Sequence, residues 1–247
     1  MQPSGSFATP RRLHVLPDAT ERLLECASAA IPAGFALAGG TALAEFHLGH
    51  RLCDDLDYVG DGEVDIPETV EVLVAALAAG GLTARRIASG PVFGRIEVGQ
   101  GLRVDLIREG PPRFGEAQQV DGIWVESLLD IAVGTLGAFV ARREGKDAFD
   151  LAALAALAGI EPPTLYPLLF RKDEGLRTYP QSVFEPLHAV AERMPMLPRS
   201  LRPELTAAAV HAFLRREAGR FWRVSGLADL ARGAGGPDPE PAAGETA

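Results

Sequence analysis

Apolar positions along the chain follow two periods, and the first half mixes both. From Asp18, a good N-cap, to Ala30 the spacing is helical, and Pro32 and Gly34 end it. Phe35 to Ala38 is a short, uniformly apolar run stopped by Gly39-Gly40, which predicts a buried strand, and Thr41 then starts a helix to Leu48. Leu56 to Val59 alternates, with Asp55 and Asp57 on one face and Leu56 and Tyr58 on the other. Between Glu68 and Ala79, Val70, Leu73, Val74, Leu77 and Ala78 recur at helical spacing, closed by Gly80-Gly81. Three strand-like runs come next, Leu82 to Ile87, Val92 to Val98 and Leu102 to Ile107, parted by turn residues as in an antiparallel meander. In the last of them Val104 and Leu106 face one way and Arg103, Asp105 and Ile107 the other, which makes Asp105 a lone acid on its strand.

After a weak strand at Ile123 to Val125, strands stop. Glu126 to Arg143 and Asp147 to Ala158 read as helices joined by Glu144-Gly145, with further helical segments at Thr164 to Phe170, Val183 to Arg193, Pro203 to Arg216 and Phe221 to Ala231. Mixed elements followed by helices alone predict an α+β fold, a sheet with covering helices and then a helical C-terminal domain. The expected divisions are a loose N-terminal segment over 1–16, a sheet-bearing core over 17–125, a helical domain over 126–232 and, from its composition, a disordered tail over 233–247.

Composition changes this picture little. Hydrophobic residues make up 47% of 247, enough for a true core, and no apolar run approaches a membrane span. The N-terminus lacks the apolar stretch of a secretory signal, so a cytoplasmic protein with no membrane partner is expected. Cys26 and Cys53 are then reduced thiols used in packing. A net charge of −9 argues against a general nucleic-acid coat protein and leaves room for a local basic patch. Nearly all the positive charge is arginine, with lysine only at positions 146 and 172.

The candidate chemistry lies between residues 35 and 57. Side chains one residue apart on a strand emerge on one face about 7 Å apart, so Asp55 and Asp57 can hold a hard divalent cation, with Asp105 as a third carboxylate from a nearby strand. Three acids on one face repel one another unless a cation neutralises them, which points to a Mg²⁺ site. Gly39-Gly40-Thr41 sits where a strand turns into a helix. Two glycines let a phosphate approach the backbone, the helix start offers unpaired N–H groups, and the Thr41 hydroxyl adds a donor; taken alone the same residues are a tight turn with a Thr cap. A phosphate turn followed by a same-face acid pair is what metal-assisted nucleotidyl transfer requires.

Gly39-Gly40-Thr41-Ala42-Leu43, then Gly49-His50-Arg51-x-Cys53-x-Asp55-Leu56-Asp57, then Lys146-Asp147-x-x-Asp150-Leu151 resemble the AbiEii/AbiGii-type nucleotidyltransferase toxins of bacterial type IV toxin–antitoxin and phage-defence systems. The resemblance implies a minimal nucleotidyltransferase core of the DNA polymerase β type, with a helical domain behind it and an NTP as donor. It also implies that Gly39, Gly40 and Thr41 contact the triphosphate, that Arg51, the arginine before the acid pair, helps bind the nucleotide, that Asp55 and Asp57 bind metal, and that Lys146 and Asp150 are late-motif catalytic residues beside Asp55, Asp57 and Asp105. Some members resemble enzymes that add nucleotides to the acceptor end of tRNA, which makes tRNA the expected acceptor and an antitoxin an expected partner. Two positions depart from the pattern: Cys53 replaces a usual Ser, and Thr135 stands where a lysine aligns, leaving Arg142, Arg143 or Lys146 to supply that charge.

Other readings of these residues stay open. Arg142, Arg143 and Lys146 equally suit a solvated helix end, and Lys146 with Asp150 an i,i+4 ion pair. His47 and His50 lack companions for a transition-metal site, and the basic, aromatic stretch Arg215 to Arg223 fits either an RNA contact or a helix end with buried rings. The expected function is Mg²⁺-dependent transfer of NMP from an NTP to an acceptor. Its rivals are a degenerate nucleotide- or partner-binding member, motivated by Thr135, and a transferase acting on a protein or small molecule.

Overall fold

The computed structural model describes residues 9–178, 181–192 and 196–224, and in it the apolar run after Gly34 is a strand buried at all four positions. In chain order the first elements are α1 (Asp18–Ala30), β1 (Phe35–Ala38), α2 (Gly39–Ala42, continuing as a π-helix over Leu43–Leu48) and β2 (Asp55–Gly60). After these come α3 (Ile66–Ala79), β3 (Ala84–Ser89), β4 (Phe93–Val98), β5 (Leu102–Arg108), β6 (Gln118–Val120) and β7 (Ile123–Val125). The helices α4 (Leu128–Arg142), α5 (Gly145–Ala158), α6 (Pro162–Lys172), α7 (Glu174–Thr178), α8 (Gln181–Glu192) and α9 (Ala207–Val224) complete the described chain.

The strands form one seven-stranded mixed sheet in the order β3-β4-β5-β2-β1-β7-β6. The expected α+β organisation holds, with the meander β3-β4-β5 antiparallel throughout and β5 then lying parallel to β2. Strand β1 lies between an antiparallel β2 and a parallel β7. Helix α3, capped by the Asp65 carboxylate, packs its apolar side on β3, β4 and β5. Leu56, Tyr58, Val104 and Leu106 point into that core, so the alternate residues of β2 and β5 face the other side.

The helix after the glycine pair starts at Gly39, before Thr41, and widens into a π-helix that ends at Gly49 in the left-handed region. Its last carbonyls would be orphaned, and three of them take a donor from another part of the chain. Leu13 N donates to Glu45 O, Arg11 N to Phe46 O, and the Arg202 guanidinium to Leu48 O. The fully buried Glu45 carboxylate accepts from His14 N, Val15 N and Arg12 Nε. The segment expected to be loose is therefore held against the π-helix from at least Arg11, because a buried carboxylate needs those donors.

Further differences have local causes. A three-residue strand, β6, precedes β7 through Asp121-Gly122, both at positive φ (50° and 83°), the hairpin turn that this dipeptide favours. Glu126 is not the first residue of a helix. Its N–H donates to Leu37 O at the sheet, and Ser127 caps α4 instead. Residues 207–224 form one helix rather than two, while the tail from 233 and the expected helix beyond 224 lie outside the described residues. Helices α4 and α5 pack on α2 and the π-helix, so the helical half sits over the C-terminal end of β1. No helix among the described residues is long and apolar enough to cross a membrane.

Candidate active site

Sheet register decides which side chains meet. Asp57 is the cross-strand partner of Ala38 on β1 and of Asp105 on β5, and Arg95 on β4 opposes Asp105. Cross-strand partners project to the same face, so Ala38, Asp57, Asp105 and Arg95 form one row at the usual strand spacing of about 5 Å. Asp55 and Arg103 form a parallel row on the same face, two residues away. Glu126 follows Val125, the partner of Leu37, and so extends the first row beyond Ala38. Below this face the chain leaves a cleft of about 700 Å³ lined from both halves, by Gly39, Gly40, the three aspartates, Glu126, Arg142, Lys146 and Lys172 among others.

The glycine pair is required by the protein's own side chains. Gly39 has φ +62°, and a Cβ built on it would land in the Asp57 carboxylate. A Cβ on Gly40 would land in the Arg51 guanidinium. Thr41 is buried and its hydroxyl donates to the Asp55 carbonyl, tying the helix start to the acid strand. Gly39→Ala is therefore expected to cost about 1 kcal/mol from the left-handed backbone. It should also push Asp57 aside and lose most function, seen as near-native unfolding in urea with impaired activity. Gly40→Ala presses on a locked arginine and should lose more stability than Gly39→Ala.

Asp57 accepts no hydrogen bond from any described residue. Burial, with the Asp105 and Asp55 charges beside it, pushes its carboxyl up to about 6. Its neighbours are differently placed. Arg103 forks the Asp55 carboxylate at 3.0 and 2.5 Å, and Arg95 forks Asp105 at 2.7 and 2.6 Å. Both arginines are half-exposed, so these pairs neutralise charge without anchoring the fold strongly. With Asp55 and Asp105 turned to arginine, the described His, Cys, Asp and Glu side chains form no group of three poised on one cation. The donor set itself fits a hard divalent ion, since it is all carboxylate oxygen and Asp57 stands unpaired and unfavourably charged between two acids.

Arg51 and Asp150 are brought together across 99 residues of sequence. The guanidinium forks the carboxylate at 2.6 and 2.7 Å, and His50 Nε2 adds a hydrogen bond of 2.8 Å to the same acid. Burial opposes charge on Asp150, but the Arg51 fork outweighs it and holds the carboxyl below the usual range. Lys146 does not pair with Asp150; it lies 3.3 Å from Glu144, at the cleft wall. Cys53 receives a hydrogen bond from Arg51 and donates to Gly40 O, and burial pushes its thiol up to about 12, so it is an uncharged, structural thiol.

The missing lysine is placed in context by the helices. Thr135 is buried with its hydroxyl bonded back to Ile131 O. Arg142, paired in a fork with Asp147, and Lys146 both line the cleft, whereas Arg143 is exposed at the end of α4. Lys172 enters the same cleft from α6, 2.9 Å from Glu109 and 3.9 Å from Asp130, so both lysines of the chain face one cavity. Lys172 has no signal in the sequence, because it depends on how α6 packs on α4. Glu126, expected to start a helix, is instead a cleft wall, where burial pushes its carboxyl up to about 7 against the pull of Arg113. Arg95 and Arg103 carry a legible signal: they share the alternating face of Asp105 within the predicted meander.

Among the described residues His47 and His50 are not gathered with other metal-ligating side chains into a group that could hold a metal ion. Burial lowers His47 to about 4, and His50 stacks on Phe149 beside Asp150. Of the basic stretch near the C-terminus, Arg216 pairs with Glu217 and Arg220 with Glu161, while the side chains of residues 221–223 lie outside the described residues.

A sequence model of the family described as "Nucleotidyl transferase AbiEii toxin, Type IV TA system" matches residues 22–224. No curated protein matches the chain. Among solved structures, JHP933 from Helicobacter pylori is similar with a TM-score of 0.50 at 17% identity, the match covering 88% of this chain and 99% of that one. A second H. pylori chain, provisionally named a nucleotidyltransferase, is similar with a TM-score of 0.50 at 17% identity, over 85% of this chain and 96% of that one. At that identity the likeness is one of fold.

Proposed function

The chain belongs to the AbiEii nucleotidyl transferase toxin family of type IV toxin–antitoxin systems, and from that premise we propose that it moves NMP from an NTP to the 3′ end of an RNA, with tRNA as the acceptor. As a toxin of that class it has a cognate antitoxin. The observation that carries the proposal is the register that sets Asp57 beside Asp105, with Asp55 two residues away and the Gly39-Gly40 turn against the Asp57 carboxylate.

In this reading Asp55, Asp57 and Asp105 would hold Mg²⁺, and Asp57 is the carboxylate of the three with no arginine fork on it. A bound Mg²⁺ supplies charge neutralisation to the triphosphate and polarises the α-phosphorus. The backbone N–H groups at Gly39, Gly40 and Thr41 face the phosphates at the start of a helix. Arg51 and Asp150 act on one another and hold Gly40 and the acid strand in place; their role is to position. Lys146, with Arg142 and Lys172, brings positive charge to the opposite wall of the cleft, where Thr135 cannot.

The test is incubation of the purified protein with each labelled NTP, Mg²⁺ and total tRNA, scored for label at the RNA 3′ end. Transfer that depends on Mg²⁺ and on one NTP is expected. Nucleotide binding by calorimetry with no label on any RNA would favour a binding member instead, and label on protein would move the acceptor to another class.

A further inference from the structure

A divalent cation at Asp55 and Asp105 would compete with Arg103 and Arg95 for the charge of the same carboxylate oxygens. Each fork uses both carboxylate oxygens, at 2.5 to 3.0 Å. Once released, Arg95 faces only Ala88 on β3, and the acid opposite Arg103 is already engaged through one oxygen. Glu97, the cross-strand partner of Arg103, already lies 3.0 Å from Arg85. Two half-exposed guanidinium groups would then stand unpaired on the open face of the sheet. Guanidinium in that state is a ready partner for phosphate oxygens.

The strand order says which phosphate. Counting across the sheet, the Gly39-Gly40 turn ends β1, the acid pair is on β2, Arg103 and Asp105 are on β5, and Arg95 is on β4. The turn and the arginines therefore flank the aspartates on opposite sides. A triphosphate seated at the turn leaves the arginine side for the strand that carries the attacking hydroxyl.

We propose that Arg95 and Arg103 form a cation-released clamp for the backbone phosphate of the acceptor strand, closed on Asp105 and Asp55 until those acids take up a divalent ion. The inference rests on the proposed nucleotidyl-transfer site. It makes acceptor binding follow loading of that site, so that arginine and cation never compete for the same carboxylates while the acceptor is bound.

The test uses the full chain and the double variant Arg95→Gln/Arg103→Gln, whose changes are at half-exposed positions. Divalent affinity is read by calorimetry with Mn²⁺ and Mg²⁺. Binding of a labelled single-stranded RNA oligonucleotide and of a non-hydrolysable NTP analogue is read by fluorescence anisotropy, with and without divalent ion at matched ionic strength. For the wild type, RNA affinity should rise when divalent ion is added, against the usual screening trend. In the variant the divalent ion should bind roughly 3- to 10-fold more tightly, the scale of two half-exposed ion pairs removed. RNA affinity in the variant should fall about tenfold and lose its divalent dependence, the size of losing two phosphate contacts, while the NTP analogue binds as before. Unchanged divalent affinity overturns the release, and loss of NTP binding with RNA binding intact overturns the acceptor assignment. If wild-type protein binds no nucleotide in the presence of divalent ion, the nucleotidyl-transfer reading itself fails, and the clamp with it.

Discussion

Asp57→Asn is expected to abolish the proposed nucleotidyl transfer and to leave the protein at least as stable as the wild type at pH 7 to 8. The loss in rate should be on the order of 10³-fold or more, the scale on which removing a group that stabilises developing charge slows an enzyme. The stability expectation follows from the site itself. In the folded protein the Asp57 carboxylate is unpaired, partly buried and beside Asp105 and Asp55, so its proton is held up to about 6 against an ordinary value of 3.8. Between those values the folded state binds more protons than the unfolded state, and wild-type stability falls as pH rises through that window. Asparagine carries no such charge. The variant should therefore gain on the wild type from about pH 4 to about pH 6 and keep that advantage above it, as read from urea unfolding across pH. Full transfer activity in a folded Asp57→Asn protein would sink the assignment. A variant much less stable than the wild type at pH 8 would show that Asp57 has a structural partner instead.

Asp150→Ala should behave in the opposite way, losing stability first. The carboxylate is fully paired in the interior, with both oxygens on Arg51 and one on His50, and its removal strands a buried guanidinium. Breaking a buried pair from one side costs about 3–5 kcal/mol, so the urea midpoint should drop sharply. The double change Arg51→Met/Asp150→Leu, which removes both charges, should recover much of that loss. Asp150 is held below its ordinary range in the folded state, so its contribution is present above about the unfolded value of 3.8 and is lost as pH falls through the folded value. The acid limb of the wild-type stability curve should accordingly be steeper than that of the double variant. A folded, fully stable Asp150→Ala protein without transfer activity would instead place Asp150 in contact with substrate.

These two aspartates show how differently a motif can be legible. The pair at 55 and 57 is a local pattern: alternation along one strand puts both on one face wherever that strand lies. Asp150 and Arg51 are named by a family motif, but nothing local says that they meet, since 99 residues separate them. Their buried fork is a product of α5 packing against the π-helix and the loop before β2. Glu45 is similar. It falls within a plain helical run, and only its burial under residues 12 to 15 makes it an anchor.

By itself the amino-acid sequence determined the kinds of element and the local faces of this protein: the buried strand before Gly39-Gly40, the helix start at that turn, the same-face acids at 55 and 57, and the meander that carries Asp105. Period and turn chemistry act over a few residues, so a linear reading can recover them. The tertiary structure alone decided the parallel pairing of β5 with β2 that sets Asp105 beside Asp57, the arginine forks on Asp55 and Asp105, and the arrival of Lys172 in the cleft. Those features depend on register and packing between segments far apart in the chain, where the winning arrangement is the one that buries the apolar face and pairs most of the buried charges at once.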